Sequence, residues 1–188
     1  MENAVRGYAL ARECLELALP RRWAHVQGVA RRARSLAQMF PPEDVDYLIA
    51  AAVLHDIGYS PNLALTGFHP LDGARYLEQL GLPRRLCALV AHHSCACLEA
   101  ELRGMSAELA LWEDERSAVR DALWWADMTT TPDGGLTNLV DRIDEIQRRY
   151  GAEDLVTFFI RQATPELVAA VDRTQERLRA AGLGHLVK

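Results

Sequence analysis

The chain has 188 residues, of which 49% are apolar and 25% charged, with a formal net charge of −5. This composition excludes a disordered chain, and the length is enough to bury a substantial core without disulfides. The negative balance argues against a surface that coats nucleic acid, so a substrate, if anionic, should be small.

The amino-terminal stretch carries Glu2 and no apolar run of secretory length, and nowhere do about 18 apolar residues run together. A cytoplasmic protein without membrane contact is the expectation. Cys14, Cys87, Cys95 and Cys97 are few and irregularly spaced, as expected of reduced thiols. Cys95 and Cys97 lie near two histidines, but structural zinc sites usually place two or more residues between paired cysteines.

Ala, Leu, Arg and Glu dominate one segment after another and no alternating strand pattern appears, which predicts an all-α helical bundle in a single domain over 1–188. Helices are expected at about 4–19, 21–39, 43–57, 70–80, 83–94, 107–111, 115–129, 136–149, 153–163 and 165–181. Pro20, Pro42, Pro83 and Pro165 mark helix starts, and Gly81, Gly151 and Gly182 mark ends.

In the 21–39 helix, Val29, Ala33, Leu36 and Phe40 form the buried stripe, and His25 precedes Val29 by one turn on that stripe. Taken alone, a residue such as His25 is more often a core histidine with satisfied hydrogen bonds than a ligand. Around it, Arg21, Arg22, Arg31, Arg32 and Arg34 form either a solvated face or a phosphate-steering patch. The 43–57 helix is apolar from Leu48 to Leu54 and closes on His55 and Asp56. A buried carboxylate there calls for a cation or for solvent at the helix end. The 115–129 helix, with Val119, Leu123 and Trp124 on its apolar face, sets Asp127 one turn beyond Leu123 and Trp124, either facing inward or capping the next turn. Four residues that divalent cations favour thus occur on three helices, and imidazole with carboxylate suits Mn, Fe, Co, Ni, Zn or Mg.

The ordered set of His25, the LHDIG segment with His55 and Asp56, and the ADMTT segment with Asp127 resembles the HD-domain phosphohydrolase superfamily over about residues 20–130. The resemblance implies that these four residues bind one metal ion. Relatives with two ions add histidines in the interval, which implies His69 and one of His92 and His93 for a second ion, the other being an outer donor or substrate contact. Asp56 is the expected bridging ligand. By the same resemblance the reaction is hydrolysis of a nucleotide or other small phosphate ester by a water whose pKa the metal lowers from about 15.7 toward 7, with a histidine of the 92–93 pair or solvent protonating the leaving group.

Many relatives carry a lysine four residues after the histidine of the HD pair, where this chain has Tyr59. Tyr59, Arg22 or Arg75 is expected to take over phosphate contact, with Thr129 in the loop bordering the site. The competing expectations are a hydrolase or di-iron oxygenase acting on a non-phosphate substrate, and a helical binding module using Trp23, Trp112, Trp124 and Trp125 at an interface. The helices from about 136 to 182 are expected to cover the core, with their arginines paired along exposed faces. Oligomeric state is not legible.

Overall fold

The computed structural model describes residues 1–187, which form ten α-helices and, among those residues, no strand beyond an isolated bridge between Thr130 and Leu136. They are α1 (Glu2–Leu15), α2 (Pro20–Arg34), α3 (Pro42–Leu54), α4 (His69–Gln79), α5 (Arg84–Ala91), α6 (Ala96–Arg103), α7 (Ser106–Leu109), α8 (Ala118–Met128), α9 (Leu139–Tyr150) and α10 (Leu155–Ala180). No helix among the described residues is long and apolar enough to cross a membrane.

The architecture is organised around α3. Every residue from Leu48 to Leu54 is buried, so this helix is apolar on all sides and must be wrapped by others. It packs on α1, α2, α5 and α8. Each Leu, Ile or Val sealed there contributes roughly 1.5–3 kcal/mol. Asp46 anchors α1 by accepting hydrogen bonds from the backbone N–H groups of Asn3 and Ala4 at 3.1 and 2.9 Å, which stabilises an end that has no side-chain cap of its own. Side-chain N-caps are supplied by Ser117 for α8, Asn138 for α9 and Asp154 for α10.

Three departures from the expected elements have physical causes. The expected 83–94 helix stops at Ala91, and Ser94 and Cys95 adopt left-handed conformations with φ of 44° and 66°. The chain turns there into the unforeseen helix α6. The expected break at Pro165 does not occur, because Ala163, Leu167, Ala170 and Val171 keep one buried stripe and carry α10 through for 26 residues. The expected 21–39 helix ends at Arg34, and residues 37–39 form a 3-10 turn.

Trp112, Trp124 and Trp125 are core residues and not an interface, each at most 1% exposed. Arg32 is also drawn inside. Its guanidinium lies 3.8 Å from the Trp125 ring and donates to Thr129 Oγ1, and burial pushes its pKa down to about 10. This part of the arginine-rich helix is therefore neither a solvated face nor a steering patch.

Candidate metal centre

Five elements converge at one end of α3. His25 comes from the buried stripe of α2, His55 and Asp56 from the turn that ends α3, His69 from the first position of α4, His93 from the kink after α5, and Asp127 from the last turn of α8. His25 Nε2 lies 3.1 Å from Asp127 Oδ1 and 3.8 Å from Asp56 Oδ2. His55 Nε2 lies 3.5 Å from Asp56 Oδ2 and 3.8 Å from Asp127 Oδ1. His69 Nε2 is 3.3 Å from Asp56 Oδ1 and 3.0 Å from His93 Nε2. Two three-residue sets result, His25–His55–Asp56 and Asp56–His69–His93, each with donor atoms within 4.8 Å of one another.

Whether a cation fits is decided by the far nitrogens of the rings. Nδ1 of His25 donates to the Thr131 carbonyl at 3.0 Å, Nδ1 of His55 to Ala52 at 2.8 Å, and Nδ1 of His93 to Val90 at 2.7 Å. With Nδ1 committed to the backbone, each ring presents its Nε2 to the cluster, and His55 Nε2 is buried with no hydrogen-bond partner at all. An Nε2 this close to an anionic oxygen needs a proton or a metal cation between them, and backbone-oriented imidazoles beside carboxylates are a donor set for a divalent ion.

The titration behaviour agrees. Burial opposes ionisation of Asp56, but Arg22 and the surrounding imidazoles outweigh it and hold the carboxyl well below its usual range. Asp127 is likewise held down, against burial, chiefly by the His25 hydrogen bond. Burial depresses His69 and His93, so both favour the neutral, ligating form.

Two close backbone approaches position these groups. A Cβ on Gly58 would lie 2.1 Å from the His69 carbonyl, so only glycine lets the turn after Asp56 pack against the start of α4. A Cβ on Gly28 would lie 2.6 Å from Gly134, whose own φ is +81°. That contact seats the Thr131 turn against α2, within reach of His25.

The remaining expected residues divide. Arg22 donates to Asp56 Oδ2 at 2.6 Å, and Tyr59 stacks on His69; both line the cavity at the cluster. His92 requires correction as ligand and as catalytic residue. As the residue that ends α5, it points its Nε2 to the Trp112 carbonyl at 2.7 Å, while its own carbonyl accepts from Trp124. Thr129 is also corrected: its hydroxyl donates to Trp125 and accepts from Arg32, away from the cavity. Arg75 lines none of the cavities around the cluster.

Other residues reach the site without having been foreseen. Ser94 donates to Asp127 Oδ2, held there by its left-handed backbone. Arg142 and Arg149 of α9 enter the cavity wall, so this helix does more than cover the core. Their signal was present in the sequence, since Arg142, Ile146 and Arg149 share one helical face. The cavity measures about 80 Å³, and Met128, Ile146, Val156, Phe159 and Ile160 supply an apolar part of its wall.

The model of the HD domain family matches residues 22–149 of this chain. No curated protein and no solved structure matches it.

Proposed function

We propose, from the premise that this chain belongs to the HD-domain family of metal-dependent hydrolases, that it is a phosphohydrolase acting on a nucleotide or another small phosphate ester. The observation that carries this reading is the position of Asp56, whose carboxylate is shared by the two histidine sets. His25, His55, Asp56 and Asp127 would hold one divalent ion, and Asp56, His69 and His93 a second. Such ions supply Lewis acidity and an activated water, as hydrolysis at phosphorus needs.

The chain's own residues account for the rest. Backbone carbonyls at Thr131, Ala52 and Val90 accept from Nδ1 of three imidazoles and aim their Nε2 atoms inward. Arg22, cationic and nearly desolvated beside Asp56, offsets charge growing on the phosphoryl oxygens. Ser94 fixes the orientation of Asp127. With His92 turned away and His93 in the cluster, solvent supplies the leaving-group proton. The apolar side of the cavity excludes water from one flank of the ester.

Elemental analysis of the purified protein, followed by assay of the metal-loaded form against nucleoside monophosphates, p-nitrophenyl phosphate and phosphodiesters, tests the reading. Bound divalent metal with turnover of at least one ester is expected, and both should be lost in Asp56→Ala. A metal-loaded protein that hydrolyses none of these esters, or an Asp56→Ala variant that keeps its metal, overturns it.

A further inference from the structure

Beside the metal cluster lies a second cavity of about 310 Å³. It meets the first at Arg22, His25, Arg142 and Arg149, then runs away from Asp56, His69, His93 and Asp127 toward Leu19, Pro20 and Pro132. Four of its walls are arginines, Arg21, Arg22, Arg142 and Arg149, and no carboxylate lines it. In a chain with net charge −5, this is a local inversion of sign.

The partners of these arginines are fewer than the cations. Arg22 is committed to Asp56, and Arg21 pairs with Asp133 across exposed surface. Arg142 and Arg149 share a single acid, Glu145, at 2.5 and 3.5 Å. Arg142 is 95% buried and its Nε has no hydrogen-bond partner. Burying a guanidinium with an idle donor is unfavourable unless an acceptor arrives to meet it. Planar guanidinium groups converging on one space are suited to phosphate oxygens, which accept several charge-assisted hydrogen bonds at once.

The reacting phosphate has its place at the metal cluster, which this second cavity does not include apart from His25. Resting on the phosphohydrolase reading above, we propose that the arginine cavity receives a second phosphoryl group of the same molecule, so that the preferred substrate is a small bisphosphorylated compound, hydrolysed at one end and held at the other. The arginines of α9 are then specificity-determining residues, and binding at the remote phosphate positions the ester for attack.

The test uses butyl phosphate and a series of alkanediol bisphosphates with two to six carbons between the phosphates. Each is measured as a competitor of p-nitrophenyl phosphate hydrolysis and by calorimetric binding to the metal-loaded protein. At least one bisphosphate should bind about tenfold tighter than butyl phosphate, the size of one added charge-assisted contact. That ratio should fall toward one in Arg149→Gln and in Arg142→Gln. Circular dichroism checks folding, and if the buried Arg142 variant does not fold, Arg149→Gln decides alone.

The proposal is overturned if no spacer gives an advantage. It is also overturned if the variants weaken both ligands equally and leave the ratio intact, which would assign the arginines to the reacting phosphate. Calorimetry separates the two claims. Absence of p-nitrophenyl phosphate turnover counts against the phosphohydrolase reading, whereas the arginine-dependent binding ratio reads the cavity by itself.

Discussion

The Tyr59 ring stacks on the imidazole of His69, with centroids 3.9 Å apart and planes inclined by 18°, while the Arg22 guanidinium lies 3.8 Å from the same tyrosine ring. Tyr59 thus ties the cation on Asp56 to the histidine that opens α4. Its phenol is driven well above its ordinary pKa by burial, so the ring acts through its face and not as an acid. Tyr59→Phe should leave metal affinity within about twofold, whereas Tyr59→Leu should lower the affinity of the second ion by about 10–100-fold, the range for groups that orient a ligand. Calorimetric metal titration of both variants checks this.

His92 and His93 are adjacent but should behave oppositely. His93→Ala removes a donor of the Asp56–His69–His93 set and should reduce the metal content. His92→Ala removes the donor to the buried Trp112 carbonyl and should cost about 1–3 kcal/mol of stability with metal content retained. Elemental analysis beside thermal unfolding distinguishes the two.

Gly58→Ala should damage the site without touching a ligand. The added methyl would meet the His69 carbonyl at 2.1 Å and the Gly73 nitrogen at 2.7 Å, and both are backbone atoms that cannot swing aside. A loss of about 1–3 kcal/mol or more is expected from such overpacking, together with weaker metal binding. Denaturant unfolding with and without added metal measures both effects.

Acid stability should depend on Asp121. It is buried at 2% exposure and accepts from Arg173 at 2.8 Å and Arg177 at 3.0 Å. Burial opposes its ionisation, but those arginines prevail and hold its pKa below the ordinary value. A depressed folded pKa means that the unfolded chain binds the proton more readily. This stabilisation is therefore complete above about pH 3.9 and fades as pH falls through the lower folded value. Asp121→Asn should cost about 2 kcal/mol at neutral pH, a figure reduced from that of fully buried pairs because both arginines are partly exposed. The deficit should narrow at pH 3, as chemical unfolding at the two pH values would show.

The sequence was most informative where chemistry and periodicity coincide. His25 on the α2 stripe, and His55 with Asp56 at the end of an apolar helix, follow from spacing alone, and the structure brings them to Asp127. The choice between His92 and His93 was not legible, because it depends on left-handed residues at Ser94 and Cys95 that no side-chain pattern announces. Thr129 and Arg75 were misplaced for a related reason: adjacency in sequence or on a helix does not say which side faces the cavity. Arg142 was passed over because an arginine beside acids on an amphipathic helix reads as surface. Only tertiary packing shows it drawn inward to a cavity wall.

The contact between Gly28 and Gly134 works as a spacer gauge. It sets the gap between α2 and a turn 106 positions further along the chain from His25, and through that turn the tilt of one imidazole. A single methyl inserted there would leave all proposed ligands in the sequence and still detune the grip on the ion. The composition of the coordination set and its calibration are thus written in different parts of the chain.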